Sequence, residues 1–425
     1  LRIYVSTLVG DHRAYSNGRL KGNFPGAQPV SFTRSHLETI TQQEYFVCEK
    51  SDGLRLLVLI LSANQTEIDL NSLPEHGRAQ SAMMMMNQQH HHQQHHHQQQ
   101  QQPPPLRNGH SDRQLVYLID RKNDFYLVDG LVFPASVAPG GPLQYQHGTL
   151  LDAELVCDRV GNGENGRNER ILKLYCFDLL VCEKKNLVSR ELTTRLGYLS
   201  QRVIQPHIKF FEKHPQIHQQ CPFQLVFKQM ENAYKAERIL REDIPNLPHG
   251  NDGLIFTAVK AKYEFGTTQT IIKWKPPSEN SIDFRVRLDP PPKSIVDYGK
   301  KLSELYPSSS DRPNLQLGVL RDKREGYEND HKDFAILGVT EDDWNTHFAD
   351  MKVGELEGKI AEAAYDEEHC PPHKWRFMRF RNDKSTGNFH KVAESILETI
   401  ENPTTEDHII EQCKIIKAEY ESKRR

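Results

Sequence analysis

Apolar residues along this chain recur mostly at every second position, the period of strands, and in a few stretches at the three-to-four spacing of helices. Residues 44–62 read as one or two strands around a turn at Ser51, Asp52 and Gly53. Strand patterns resume at 115–120 and 125–133, and both are expected to pair with the strand that ends near Ser62. Strands at 149–158 and 172–182, separated by a Gly/Asn-rich turn at 161–168, predict a hairpin. Leu192, Leu196, Leu199 and Val203 predict an amphipathic helix over 191–211, and a second helix is expected over 231–242. Further strands are expected at 253–259 and 270–274.

Two segments break this pattern. Residues 83–105 are almost pure Gln, His and Met closed by three prolines, so 69–112 reads as a disordered insertion in a hairpin. A repetitive tract of that kind fixes no coordination geometry, so His90 to His92 and His95 to His97 are not read as metal ligands. The prolines at 276, 277 and 290–292 suggest a hinge. Beyond them come short strands at 315–320, 334–337, 358–363 and 375–381, with one short helix opening at Thr340, whose Thr-x-x-Asp start resembles a capping box. This fits a small β-barrel. Cys370-Pro371-Pro372-His373 lacks a second ligand pair and reads as a loop. After Asn388 the pattern is helical, with Ile409, Cys413, Ile416 and Tyr420 on one face. The fold class expected is α+β: antiparallel sheets with flanking helices over 1–283, a barrel over 284–388 and a helical segment over 389–425.

Composition narrows the function. A formal charge of −3 over 425 residues excludes a protein that binds nucleic acid by bulk charge, so any such surface is local. The seven cysteines are scattered without a CxxC pair, which suits a reducing compartment. The longest apolar run, residues 56–61, is far below the ~20 residues that a membrane span needs.

The chemistry centres on Lys50-Ser51-Asp52-Gly53-Leu54-Arg55. A lysine attacks only once deprotonated, and burial or nearby cations must draw its pKa down from about 10.4. Asp52 can steer or deprotonate, Gly53 permits close approach of a phosphate, and Arg55 projects toward the same pocket if the strand alternates. Taken alone, such a turn is a polar hairpin tip. Further segments follow in order: Phe24 to Ser31; Arg121 with 125–130; Asp152-Ala153-Glu154; Tyr175-Cys176-Phe177-Asp178; Asp252-Gly253-Leu254-Ile255-Phe256; Ile271-Ile272-Lys273-Trp274-Lys275-Pro276; and Arg379-Phe380-Arg381-Asn382-Asp383-Lys384.

Together these resemble the mRNA capping guanylyltransferases, of the covalent nucleotidyltransferase superfamily that also holds the polynucleotide ligases. The resemblance implies a nucleotidyltransferase domain followed by an OB-fold barrel, with GTP entering between them and Mg2+ or Mn2+ on the phosphates. It implies that Lys50 becomes lysyl-GMP with release of pyrophosphate and passes GMP to 5'-diphosphate RNA. Arg121 would reach the ribose, Phe177 would stack on the base, and Glu154 and Asp252 would contact ribose or metal. Gly253 would line the nucleotide site, and Lys228 would read the guanine edge. Lys273 and Lys275 would hold the α-phosphate, and Arg379, Arg381, Asp383 and Lys384 would orient the pyrophosphate.

Two departures from the family stand out. Ala153 replaces a glycine and is expected to tighten backbone approach at the contact with ribose or metal, while Thr386-Gly387-Asn388 lacks a proline and is expected to loosen entry to the last helix. The resemblance to the monofunctional fungal type implies a separate RNA triphosphatase subunit. It also implies the phosphorylated tail of RNA polymerase II as a partner, and the nucleus as location. The alternatives are an ATP-dependent ligase that forms lysyl-AMP and an inactive scaffold that docks on the polymerase.

Overall fold

The structure is a computed structural model. It describes residues 1–10, 15–16, 19–20, 24–62, 114–135, 144–162, 168–219, 221–322, 324, 326–327, 329–382 and 384–422. The expected insertion at 69–112 and Asp383 lie outside the described residues. Packing divides the chain into two units: Leu1–Val30, Ile40–Lys273 and Gln412–Arg425 form the first, and Ser31–Thr39 with Trp274–Glu411 the second.

In the first unit, β1 (Tyr15–Ser16) and β2 (Arg19–Leu20) form a small hairpin, followed by β3 (Ala27–Ser31), β4 (Tyr45–Ser51) and β5 (Leu54–Ser62). Then come β6 (Gln114–Ile119), β7 (Phe125–Val128), the long hairpin β8 (Thr149–Asn162) and β9 (Asn168–Cys182), and β10 (Lys185–Asn186). The unit's remaining strands are β11 (Gln224–Phe227), β12 (Glu231–Asn232), β13 (Asn251–Ala258) and β14 (Gly266–Trp274). They build two larger sheets. One has the order β10-β9-β8-β5-β6-β7, with β11 beside β9; the other has the order β12-β4-β13-β14-β3. Because β4 and β5 belong to different sheets, the Ser51–Leu54 turn joins the sheets instead of closing a hairpin.

The near-continuous apolar run of β5 follows from having both faces covered. Leu56, Val58 and Ile60 pack with Leu199 and Val203, whereas Leu57, Leu59 and Leu61 pack with Val5, Val9 and Tyr263. Burial of each such side chain contributes about 1.5–3 kcal/mol. The expected pairings of β6 with β5 and of β8 with β9 are present and antiparallel, whereas β7 pairs with β6 and not, as expected, with β5. The helix expected over 191–211 is α-helical at Leu192–Tyr198 and Gln205–Lys213, with a π-helical stretch Leu199–Ile204 between. Two further expectations need correction. Residues 231–242 open as strand β12 before turning helical, and β11 runs parallel to β9 in an otherwise antiparallel sheet.

In the second unit, β15 (Ser281–Asp289), β16 (Asn314–Leu320), β17 (His331–Gly338), β18 (Ile360–Cys370) and β19 (His373–Phe380) close into a barrel of order β15-β16-β17-β19-β18. Where the prolines suggested a hinge, β15 runs between the two proline groups. Its buried Ile282, Phe284, Val286 and Leu288 alternate with Asp283, Arg285 and Arg287, so the barrel starts inside that passage. The helix at Thr340 has its capping box, with Thr340 Oγ1 accepting from the Asp343 amide at 3.1 Å. Asn388 ties down the entry to the last helices, accepting from the Asp283 amide at 2.7 Å and donating its own amide to the Asp283 carbonyl at 2.6 Å. No described helix is long and apolar enough to cross a membrane.

Candidate active site

Lys50 is the next-to-last residue of β4, and its partner strand β13 carries a bulge opposite it: Asn251 pairs with Ser51 and Leu254 with Glu49, so Asp252 and Gly253 share the place facing Lys50. Gly253 takes φ 128°, a conformation that favours glycine. The bulge delivers Asp252 to the amine, and Lys50 Nζ donates to Asp252 Oδ1 at 2.6 Å. Asn251 Nδ2 donates to the Lys50 carbonyl at 3.0 Å, and the Asp52 amide to the Gly250 carbonyl at 2.8 Å, which fixes the turn. The Asp52 side chain is exposed; the carboxylate on Lys50 is that of Asp252. Gly53 lies so close to β8 that an added Cβ would fall 2.6 Å from the Leu155 carbonyl oxygen.

Across the larger sheet, Arg55 pairs with Glu154 and Glu154 with Tyr175, so one row of side chains shares a face. Arg55 is buried and holds Asp152 with both Nε (3.0 Å) and Nη2 (2.6 Å), while its Nη1 donates to the Ala27 carbonyl. Its guanidinium carbon lies 5.8 Å from the Phe24 ring centre and 5.5 Å from that of Phe177. A bulge makes Phe177 the extra residue of β9, between the Asp152–Asp178 and Ala153–Cys176 pairs. Asp178 in turn holds Arg195 Nε at 2.7 Å and Nη2 at 2.8 Å.

Burial pushes the Glu154 carboxyl above the usual carboxylate range, against the pull of Lys50, Arg121, Arg55 and Lys228. Four cations thus converge on one acid, which is the electrostatic character of a phosphate-handling site. Arg121 itself is exposed in the turn between β6 and β7. Lys228 is buried, donating to Glu49 and, at 2.6 Å, to Ser51 Oγ. Ala153 sits on the opposite face of β8 from Glu154, within the core beside Leu56 and Cys176, so its methyl does not tighten the site as expected.

Lys273 lies in β14, while Lys275 follows the strand and belongs to the second unit. In the barrel, Arg379 Nε donates to Glu362 at 2.8 Å, Arg381 Nη1 to Asp283 at 3.0 Å, and Lys384 to Asp283. Burial acts to raise the Glu362 carboxyl, but the Ser281 hydroxyl and the Arg379 and Arg381 guanidiniums outweigh it and hold it below its ordinary range.

Sequence reasoning assigned no role to Asp152, Asp158, Asp178, Tyr263, Asp283 or Glu362, the acids and the phenol that organise these cations. A signal existed for one group: Asp152, Glu154 and Asp158 are spaced by even numbers, which places them on one face of a strand.

Residues 1–71 and 107–277 match the model of the mRNA capping enzyme catalytic domain, and residues 279–410 match that of the mRNA capping enzyme C-terminal domain. The chain is 31% identical over 410 residues to the mRNA-capping enzyme subunit alpha of Schizosaccharomyces pombe, covering 96% of this chain and 84% of the relative. It is 32% identical over 407 residues to the protein of the same name from Neurospora crassa, covering 94% and 87%. Among solved structures, a mycobacterial DNA ligase D complexed with ATP and MES is similar over 84% of this chain and 95% of its own, with 11% identity and a TM-score of 0.34.

The matched catalytic domain makes the protein a nucleotidyltransferase enzyme. More narrowly, the chain belongs to the mRNA capping enzyme family, and its function is that of an mRNA 5' cap guanylyltransferase.

Proposed function

We propose that Lys50 is the nucleophile: its Nζ attacks the α-phosphorus of GTP, and the GMP it then carries passes to the diphosphate end of RNA. The observation that carries this reading is the 2.6 Å contact of Lys50 Nζ with Asp252, at the junction of two sheets and beside Glu154. In the first half-reaction the N–P bond forms as the bond from the α-phosphorus to the bridging oxygen breaks. Pyrophosphate departs, and the amine gives up a proton for which Asp252 is the acceptor in reach. In the second, an oxygen of the RNA's terminal phosphate bonds to the same phosphorus, the N–P bond breaks and the amine recovers its proton.

Such transfers depend on position and charge neutralisation more than on covalent machinery. Phe177, against the Arg55 guanidinium, is the stacking platform for guanine. Arg121 serves the ribose, Lys228 the guanine edge, and Lys273 and Lys275 the α-phosphate. Arg379, Arg381, Asp383 and Lys384 orient pyrophosphate. Asp52, exposed at the turn, steers the Lys50 ammonium by its charge.

No group of three or more His, Cys, Asp or Glu side chains among the described residues would hold a metal ion unaided. The two carboxylates Glu154 and Asp252 would instead hold an Mg2+ or Mn2+ brought in with the triphosphate. Bound there, such an ion supplies charge neutralisation on the phosphates. The designation of the fungal relatives as an alpha subunit supports a partner subunit, here an RNA triphosphatase. The phosphorylated tail of RNA polymerase II as a docking partner, and the nucleus as location, follow from the same role.

Incubation with α-labelled GTP tests the reading. Lys50→Arg, whose guanidinium stays protonated, should acquire no label, and a labelled Lys50→Arg protein would refute it.

A further inference from the structure

Next to the Lys50–Asp252 contact, Ser51 begins a second chain of hydrogen bonds that the reaction does not use. Ser51 Oγ lies 3.1 Å from His249 Nε2, and His249 Nδ1 lies 2.8 Å from Asp158 Oδ1. The other Asp158 oxygen receives Lys173 Nζ at 2.7 Å and the Tyr175 hydroxyl at 3.3 Å. Ser51 and Asp158 are buried, and the His249 side chain is 1% exposed. Ser51 ends β4, Asp158 lies on β8, Lys173 and Tyr175 lie on β9, and His249 precedes β13, so the chain of bonds joins the two large sheets.

The order Ser-His-Asp is that of a hydrolytic triad, but the inventory of protons gives it a different sense. An ammonium can only donate, so Ser51 Oγ accepts from Lys228 Nζ at 2.6 Å. A carboxylate can only accept, so His249 Nδ1 carries a proton and donates to Asp158, and in the neutral ring Nε2 then accepts from the Ser51 hydroxyl. The serine oxygen meets a fixed cation instead of an open pocket, and its task is to hold Lys228.

An ammonium has three N–H donors. Those of Lys228 go to Ser51 and Glu49, and the third has no acceptor among the described residues. Lys228 Nζ stands 5.2 Å from the ring centre of Tyr175, which shares the cross-strand row of Arg55 and Glu154.

We infer that Ser51, His249 and Asp158 form a positioning relay that fixes Lys228, so that its remaining N–H selects a purine bearing a carbonyl oxygen over one bearing an amino group. The inference rests on the reading that Lys50 accepts a guanine nucleotide. A donor held in place rejects a base without the matching acceptor because burial then leaves it unpaired, and a donor free to swing loses that discrimination.

The test uses the full chain with α-labelled GTP and ATP, after wild-type adduct on Lys50 has been established. Absence of that adduct would strike the functional reading and not the relay. Given the adduct, Ser51→Ala and His249→Ala should each raise KM for GTP about tenfold, more than they lower kcat, and shrink the preference for GTP over ATP about tenfold. Ser51→Thr, which keeps the hydroxyl, should recover both to within about threefold. His249→Asn replaces the donor to Asp158 but releases Ser51, so it should lose the preference as well, and it serves if Ser51→Ala does not fold. A wild-type preference in folded Ser51→Ala or His249→Asn, a loss confined to kcat, or a Ser51→Thr no better than Ser51→Ala would overturn the relay.

Discussion

Lys50 and Asp252 meet across two antiparallel strands that a bulge has put out of step, and the 2.6 Å contact between Nζ and Oδ1 exists because two residues of β13 occupy the place opposite one residue of β4. An unbulged strand would pair Lys50 with a single backbone position, and strand parity would decide where its neighbour pointed. The contact makes Asp252 the proton acceptor within reach of the amine. Asp252→Asn keeps the size and removes the acceptor, so the rate of adduct formation should fall about 10²–10⁴-fold with the fold retained. Single-turnover labelling beside a thermal melt checks both, and an unchanged rate would remove Asp252 from the chemistry.

Gly53 tests how closely the Ser51–Leu54 turn must approach β8. A methyl there would stand 2.6 Å from the Leu155 carbonyl oxygen, and backbone cannot yield as a flexible side chain would. Gly53→Ala should cost about 1–3 kcal/mol and reduce adduct formation, because relief moves the turn that carries Lys50. Urea denaturation and labelling of the same preparation measure the two effects.

Arg55 has its charge engaged by Asp152 through two hydrogen bonds, with both side chains buried. Removing one partner of such a pair strands the other. Asp152→Asn should therefore destabilise the protein by about 3–5 kcal/mol, whereas surface pairs such as Arg241–Glu237 should contribute under about 1 kcal/mol. Chemical denaturation of Asp152→Asn and Glu237→Gln would show whether this ordering holds.

His207 gives a pH dependence. Burial beside Phe133 and Phe211 lowers its pKa to about 4, although the Val132 carbonyl pulls the other way. The unfolded chain titrates near 6.5 and so binds more protons than the folded one between about 4 and 6.5, which means stability falls as pH drops through that window. Between pH 7 and pH 5 this one residue should account for about 2 kcal/mol. His207→Leu should flatten that part of the stability profile, as measured by urea titration at the two pH values.

Much of the architecture was written in local periodicity. The apolar-rich stretches of β8 and β9 and the Gly/Asn turn between them define a hairpin without outside help, and the continuous apolar run of β5 signals a strand covered on both faces. The capping box at Thr340 is a four-residue signal and needs no tertiary context. What escaped was set by distant partners. β15 runs between two groups of prolines, and its alternation was masked by them. Parallel pairing of β11 with β9 has no local signature. In the site, the motif residues could be numbered from the chain, but the acid paired with each cation could not. Asp252 reaches Lys50 from 202 positions away, and Asp283 reaches Arg381 from 98, so only folding reveals which charges are already neutralised. The same holds for His249 and Asp158, 91 positions apart.

One bond at one atom, Lys50 Nζ to phosphorus, carries the proposed reaction. Peptide mapping by mass spectrometry of the full chain, after incubation with GTP and magnesium under conditions that preserve the acid-labile phosphoramidate, measures it directly. The predicted result is a single peptide containing Lys50 that carries the mass of GMP, lost on addition of diphosphate-ended RNA. A bare Lys50 with GMP on another residue, or adenylate on Lys50 when ATP and GTP compete, would contradict it.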